Sequence, residues 1–453
     1  MRPAFQPSLG LLLLAGLPGP ATAQQPLRLE QALARAEQSG YANRIAVGSA
    51  DVQAGQAEVP LRGILPSVRL ESGYLRTTDP LNAFGFTLRQ RAVTPAAFAP
   101  ASLNYPDATG NLTTGIVLEQ PLFNADAWLG RKAAVNAREA ARASEQWTRA
   151  TTSFDVYRAY WGAVLAAEQV STLRVAVEAA RAHVRQAESM VRQGMATRSD
   201  ALLATVKAGE AEAMLLRAQS DMGLAKRGLG VLMGNPADTA FTLPDSLPAA
   251  AQVRLIAVHA AIDTAPLGGR ADVMAATLAR DAAQADVRRA HYLYLPRLNG
   301  FGRVDWNSPD MPFGGKSAWT LGVMLVWSPF AGASERAEIH AAGGREASAM
   351  AMADAAHAQA SLEYARASEA QTVALARLDI AERAVSQAQE AHRIVARKYE
   401  GGLATISELF DAAAVETGTD LGFSAARFDT LVAAAERRRA QGLDLSVLVD
   451  WEQ

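Results

Sequence analysis

The sequence predicts an α+β protein built from two internal repeats, each with two β-strands followed by a long antiparallel helical hairpin. Three observations predict this fold: two long proline-free segments, a heptad pattern that recurs at a fixed offset, and strand-like alternation ahead of each segment. No proline lies between Pro121 and Pro236, and none follows Pro329. Alanine makes up about a fifth of the chain. Because proline breaks helices and alanine favours them, both segments are predicted to be helical.

The heptad residues of the two segments correspond at an offset of 208 residues. They are Val170, Leu173, Val177, Ala180, Val184, Ala187 and Val191 in the first segment, and Leu378, Ala381, Val385, Ala388, His392, Val395 and Tyr399 in the second. Apolar residues at alternating steps of three and four predict a packed helical seam. Recurrence of the whole pattern predicts an internal duplication.

Each seam ends in a glycine turn, and the two turns match at the same offset. Gly194 and Gly402 suit the C-terminal cap of a helix, and Thr197 and Thr405, each followed by an acid, suit the start of the next. We therefore expect helical hairpins at residues 125–235 and 331–442. The first arm would extend roughly 100 Å at 1.5 Å per residue, which is longer than a globular domain needs.

The strand-like segments alternate between apolar and polar residues. Between Trp319 and Trp327 every odd position is large and apolar, and the two tryptophans lie roughly 26 Å apart at 3.3 Å per residue. A half-buried soluble strand fits the alternation equally well, but aromatic residues at both ends of an apolar band are typical of outer-membrane strands. Strands are predicted at about residues 67–78, 111–122, 297–307 and 317–328, and the membrane-interface aromatics are Tyr74, Trp306, Trp319 and Trp327.

Four strands cannot close a membrane barrel, because even the smallest barrels have eight and open edges are not tolerated in lipid. Three copies of the chain supply twelve strands, so closure predicts a homotrimer that is in contact with membrane lipid.

The remaining organisation follows from the termini and from composition. Arg2, the apolar run Leu9–Leu17 and the small residues Ala21–Ala23 predict a signal peptide at residues 1–23. We divide the rest into a first repeat at 24–235, a linker at 236–269, and a second repeat at 270–453 that ends in a C-terminal tail. No later apolar run is long enough for a transmembrane helix. The chain has no cysteine, which excludes disulfides. Its net charge of -2 argues against a nucleic-acid partner.

The sequence shows no catalytic or cofactor-binding pattern. Six histidines are scattered without metal-binding spacing, and Gly314–Ser317 lacks the first glycine of a phosphate loop, where Asp310 stands instead. We therefore predict no enzyme activity, no cofactor and no metal. One alternative is a periplasmic coiled-coil scaffold or adaptor that never enters the membrane; a periplasmic hydrolase would need a catalytic set that the sequence does not show.

Several short motifs resemble those of the outer-membrane efflux protein (TolC-like) family over essentially the whole mature chain. Each is degenerate alone, but their order along the chain and their duplication make the set specific. They are Leu27–Leu33, Arg270–Val273, Leu295-Pro296, Gln120–Phe123 with Ser328–Phe330, and Lys398–Leu403 continuing to Glu408–Ala412. The resemblance implies a trimeric conduit of a Gram-negative outer membrane, with a twelve-stranded β-barrel that continues as a periplasmic α-barrel. It also implies a passive exit duct for efflux or type I secretion, with a periplasmic adaptor and an inner-membrane pump of RND, ABC or MFS type as partners.

By position, the resemblance assigns two functional sites. The periplasmic constriction would be formed by Asp200, Tyr399, Glu408 and Asp411, and the adaptor-docking tips by Gly194, Ala196, Thr197, Gly402, Ala404 and Thr405. Three copies of each acid around one axis would repel one another, raise their pKa values and attract cations. Asp200 and Glu408 also suit helix capping, and Tyr399 suits plain packing. A basic residue that some relatives carry is replaced by Ala404; Arg198 is a candidate substitute.

The predicted strands at 67–78 and 111–122 are joined by a long connection, residues 79–110. Its four prolines predict an irregular loop.

Overall fold

The computed structural model describes residues 25–237, 241–262 and 265–448. The predicted signal peptide lies outside these residues, as do parts of the predicted linker and C-terminal tail. The α-helices are α1 (Leu29–Ser39), α2 (Tyr41–Glu58), α3 (Pro80–Arg89), α4 (Pro100–Asn104), α5 (Ala125–Arg192), α6 (Arg198–Leu232), α7 (Ala250–Ile262), α8 (Ala271–Tyr292), α9 (Ser334–Glu400) and α10 (Ile406–Ala440). The β-strands are β1 (Gln25–Pro26), β2 (Ser67–Thr77), β3 (Thr109–Phe123), β4 (Phe241–Thr242), β5 (Arg297–Ser308) and β6 (Lys316–Val326).

The two proline-free segments form the longest helices. α5 and α9 contain 68 and 67 residues, and α6 and α10 contain 35 residues each. α5 ends 208 residues before α9 ends, and α6 begins and ends 208 residues before α10 does. None of the helices in the described part of the chain is both long and apolar enough to cross a membrane.

Four strands form one antiparallel sheet in the order β2-β3-β5-β6. Its hairpins β2-β3 and β5-β6 come from the two halves of the sequence, and β3 pairs with β5 to join them. The strand bounds lie within two residues of the predicted ranges. Within the described residues, β2 and β6 each pair with a single neighbour, so both edges of the sheet are open.

The chain divides into two compact units. Among the described residues, the tip unit contains residues 25–35 together with Val156–Ala249 and Ala381–Phe428, and the sheet unit contains Ala36–Asp155, Ala250–Ile380 and residues 429–448. Alanines from α5 and α6 pack against larger residues of α9 and α10 in the core of the tip unit. This core consists of Ala180, Ala187, Ala204, Ala208, Tyr399, Ile406, Leu409 and Phe410. The small residues allow the helix backbones to approach closely.

A buried polar network fixes the other end of the tip unit. The Arg427 guanidinium forms an ion pair with Glu168, and both side chains are largely buried. Glu168 also accepts hydrogen bonds from Ser424 Oγ at 2.6 Å and from the backbone N–H of Leu247 at 2.9 Å. One carboxylate therefore joins α5, α10 and the segment that precedes α7.

In the sheet unit, a second buried cation is held in the same way. Arg270 is fully buried, and its guanidinium lies 2.6 Å from Asp272, 3.0 Å from Glu363 and 4.5 Å from the centroid of the Trp147 ring. Two carboxylates and an aromatic face replace the water that the charge loses on burial.

The connection between β2 and β3 is not an irregular loop, contrary to the sequence prediction. It contains α3, a 3₁₀ turn at Pro95–Phe98 and α4. Each element begins with proline, which is favourable at the first position of a helix because its fixed φ fits and its missing N–H would be unpaired there anyway. Asp79 caps α3 by accepting a hydrogen bond from Asn82 N at 2.8 Å.

Candidate functional site: an amphipathic sheet and two helical turns

One face of the sheet is apolar across all four strands. The register places Leu70, Ile116, Val304 and Trp319 in one row, and Val68, Leu118 and Leu321 in the next. Trp319, Leu321 and Val68 are 77%, 75% and 70% exposed in the protomer. A contiguous apolar face of this kind requires a nonaqueous partner.

The opposite face carries an ionic network. Arg69 lies 2.7 Å from Glu119, and Arg303 lies 2.7 Å from Asp305 on its own strand and 3.3 Å from Glu71. The Arg303–Glu71 pair joins β5 to β2 across the intervening β3.

A glycine on β3 makes that crossing possible. The register places Gly115 between Glu71 and Asp305, and a Cβ atom at Gly115 would lie 2.3 Å from Asp305 Oδ1 and 3.4 Å from the Arg303 guanidinium. Any larger residue at this position would displace the charged side chains.

The predicted interface aromatics lie at both ends of the sheet. Tyr74, Trp306 and Trp319 lie within three residues of the strand ends that face the β2-β3 and β5-β6 connections. Trp327 lies just beyond the opposite end of β6, where its Nε1 donates a hydrogen bond to Tyr294 O at 3.0 Å. Trp306 is half-buried against Phe313, at a ring-centroid distance of 5.4 Å, and the other three are exposed.

The two glycine turns have the same backbone geometry. Gly194 and Gly402 have φ of 75° and 71°, the left-handed conformation in which glycine is favoured. The next residues, Met195 and Leu403, donate backbone hydrogen bonds of 2.8 Å to Met190 O and Lys398 O. Each turn is thus a Schellman cap, which pairs two carbonyls of the last helical turn.

A capping box starts the helix after each turn. Thr197 N donates to Asp200 at 2.9 Å, and Asp200 N donates to Thr197 Oγ1 at 3.3 Å. Thr405 and Glu408 repeat this exchange at 2.7 and 3.2 Å. These contacts show that both acids cap helices, which is one of the two roles that the sequence left open for them; the other is gating.

In the single chain, the pKa values of the two capping acids are lowered. Hydrogen bonds from the Thr197 side chain and backbone hold the pKa of Asp200 below its ordinary value, and those from the Thr405 backbone and side chain do the same for Glu408. Hydrogen bonds to the ionised form stabilise it. The expected increase depends on repulsion between copies and stays a prediction for the assembled state.

The other two predicted constriction residues differ in setting. Tyr399 is buried in the core of the tip unit with its hydroxyl lacking a hydrogen-bond partner, and burial, followed by the charge of Asp200, raises its pKa. Tyr399 and Asp200 are therefore brought near each other. Asp411 is exposed, and its charge contributes weakly to the raised pKa of Lys207, which results mainly from a hydrogen bond to Glu210.

The predicted docking tips are mostly exposed. Gly194, Thr197, Gly402 and Thr405 are exposed, whereas Ala196 and Ala404 are half-buried. The most prominent side chains in these turns are Met195 and Leu403, which correspond at the 208-residue offset and are 63% and 82% exposed.

The sequence did not predict a histidine pair in the tip unit. The rings of His183 and His392 lie 6.0 Å apart, His392 Nδ1 hydrogen-bonds to Glu416, and both Nε2 atoms are buried without a partner. Burial, and then the neighbouring His392, lowers the pKa of His183. No group of three or more potential ligands in the described residues is arranged to hold a metal ion.

Comparison with known proteins identifies the family. The model of the outer membrane efflux protein family matches residues 29–235 and 265–444. The chain belongs to this family. Its members are outer-membrane channels rather than enzymes, and the match disfavours a periplasmic scaffold. No curated protein sequence matches significantly.

Solved structures of bacterial membrane proteins share the fold. The outer membrane protein VceC of Vibrio cholerae superposes with a TM-score of 0.75 at 20% identity, covering 91% of this chain and 96% of VceC. A membrane protein of Pseudomonas aeruginosa gives 0.77 at 20% identity, with 94% and 98% coverage. The CmeC outer membrane channel of Campylobacter jejuni gives 0.75 at 15% identity, with 91% and 85% coverage.

Proposed function

We propose that this chain is the outer-membrane exit duct of a tripartite efflux or type I secretion system in a Gram-negative bacterium. The amphipathic sheet carries the proposal, since it combines an exposed apolar face, an ionic opposite face and two open edges. An apolar outside and a polar inside are what a membrane barrel requires.

Barrel closure supplies the quaternary structure of the proposal. Open strand edges are not stable in lipid, so β2 of one copy pairs with β6 of the next, and three copies give twelve strands. Tyr74, Trp306 and Trp319 then occupy one membrane interface and Trp327 the other. The common 208-residue offset of the long helices supports two structural repeats, whose hairpins form the periplasmic α-barrel.

The helical turns are the proposed contact with the periplasmic adaptor. Both present the same Schellman cap and capping box, so an adaptor with repeated binding sites finds equivalent surfaces twice in each protomer. Energy comes from an inner-membrane pump of RND, ABC or MFS type, and the duct conducts passively. Adaptor contacts that favour an open arrangement of the turns would shift a closed-to-open equilibrium.

The acids beside the turns are the proposed cation-attracting constriction. Asp200 and Glu408 are held ionised by their capping hydrogen bonds, and Asp411 is exposed nearby in sequence. Three copies of each would place negative charge around the axis, and rings of carboxylates favour cations. Tyr399 acts in this proposal as packing that holds the second turn.

Planar-bilayer recording of the purified mature chain, residues 24–453, tests both parts of the proposal. We expect small, cation-selective channels, and loss of cation preference when Asp200, Glu408 and Asp411 are changed to the corresponding amides. Asp221→Asn on α6 is the matched control, because it removes one exposed acid away from the turns. A wild-type chain that never inserts and runs as a soluble elongated species would refute the duct. Channels with unchanged selectivity in the triple variant would refute only the constriction.

A further inference from the structure

The connection between β2 and β3 is folded. Ala83 and Phe86 of α3 are buried, and Phe84 packs edge-on against Phe98 at 5.7 Å. The segment therefore has a small apolar centre of its own, which an unstructured loop would lack.

The C-terminal end of α3 is tied to the sheet by two consecutive residues. Gln90 Nε2 donates hydrogen bonds of 2.9 Å to Gly110 O and to Asn111 Oδ1 on β3. Arg91 donates from its guanidinium to Ser317 O on β6 at 3.3 Å. The two anchors lie on strands separated by β5, so the connection crosses the end of the sheet.

The crossing runs over the polar face. Asn111 donates to Thr113 at 2.8 Å and to Asn307 at 2.9 Å. The register places Thr113 and Asn307 on the same face as Arg69, Glu71 and Arg303. Thr113 lies two residues from Gly115, the partner of Glu71, and Asn307 lies four residues from Arg303.

The exposed fractions of the side chains on the polar face also indicate that the connection covers one end of it. Asn111 and Asn307 are 1% and 4% exposed, whereas the Arg69 side chain on the uncovered part of this face is 59% exposed. Polar groups at the end of an open sheet would be hydrated, so the connection has displaced that water.

The backbone at the second anchor is strained. Arg91 adopts φ of 54°, a left-handed conformation that a non-glycine residue rarely adopts. Glycine would relieve this strain but would lose the side chain that reaches β6. The residue that tightens the turn is thus also the one that holds it across the sheet.

From this geometry we infer that residues 79–108 form an inward-folded cap that sets the size limit of the duct at its outer mouth, with Gln90 and Arg91 as the residues that hold it closed over the lumen. The inference rests on the proposed barrel, because only there does the polar face line a lumen. Three copies of the cap narrow the mouth from three sides and restrict which solutes pass.

Polyethylene glycols of increasing size, added to the cap side of a planar bilayer, test the inference. A polymer that enters the outer vestibule reduces conductance. Because the polymer is added on the cap side only, this reduction reports on the outer mouth and not on the helical turns. The double variant Gln90→Ala/Arg91→Gly should admit larger polymers and raise open-channel conductance about twofold, since a narrow mouth adds resistance in series. Tyr105→Ala, at a side chain that is 87% exposed in the same connection, is the matched control and should match wild type.

A second variant keeps the test decisive if the double variant assembles poorly. Replacing residues 81–105 by a short Gly/Ser linker removes the cap and leaves all four strands of the sheet intact. An unchanged polymer cut-off in a variant that still forms channels would overturn the cap. Failure of the wild-type chain to form any channel would instead overturn the duct.

Discussion

Removing the Glu168 carboxylate should destabilise the tip unit strongly. In Glu168→Ala, the guanidinium of Arg427 stays largely buried without its counter-ion, and Ser424 Oγ and Leu247 N lose their acceptor. Breaking a buried ion pair from one side costs about 3–5 kcal/mol, because the remaining charge is uncompensated. Backbone acceptors at Leu247 and Pro248, which receive Arg427 Nη1 at 3.2 and 3.4 Å, hold part of that charge and favour the lower end of this range.

Urea unfolding, followed by tryptophan fluorescence at a fixed protomer and detergent concentration, measures the change. Arg427→Met combined with Glu168→Leu should recover most of the loss, since two apolar residues need no charge compensation. Asp429→Ala breaks an exposed ion pair with Arg377 at 3.7 Å and should cost less than about 1 kcal/mol. A loss below about 1 kcal/mol in Glu168→Ala, with simple additivity in the double variant, would refute the reasoning.

Three further changes test the turns and the histidine pair. Thr405→Ala should destabilise the start of α10 by about 1 kcal/mol through loss of its capping hydrogen bonds, seen as faster hydrogen exchange at Glu408. Gly402→Ala should lower the urea midpoint because alanine is strained at φ of 71°, whereas Gly401→Ala should not, because Gly401 is not among the glycines with positive φ and an added Cβ there meets no atom closer than 3.7 Å. Burial lowers the pKa of His183, so the unfolded chain binds this proton more readily than the folded chain does. The contribution of this site to the free energy of unfolding is therefore complete above the unfolded pKa of about 6.5 and is lost as pH falls below it. His183→Phe should flatten that part of the stability–pH curve, and an equally steep curve would exclude His183 as the cause.

The sequence patterns located the long helices and the strands well because both follow from repeated local signals. The sequence predicts that the first hairpin begins at residue 125 and turns at Gly194, and α5 extends from Ala125 to Arg192. Proline exclusion and heptad spacing act over many turns, so errors at single positions average out. The family assignment rested on the same duplicated motifs.

Other features had no local signal. The prolines of the β2-β3 connection predict an irregular loop because proline breaks helices, but Pro80 occupies the first position of α3, where proline is favourable. The histidine pair joins residues 209 positions apart, and only the packing of α5 against α9 brings them together. The lowered pKa values of Asp200 and Glu408 depend on side-chain rotamers that spacing alone does not specify.

The pairing of β3 with β5 has a consequence for the order of folding. It aligns Leu112 with Ser308, residues 196 positions apart, and the Arg303–Glu71 ion pair fastens the same two hairpins together. Contacts of such high sequence separation form slowly, because a long chain must first be brought together. The β2-β3 hairpin therefore waits, with the edge of β3 unpaired, until more than 180 further residues have been delivered, and during that interval the unpaired edge favours aggregation.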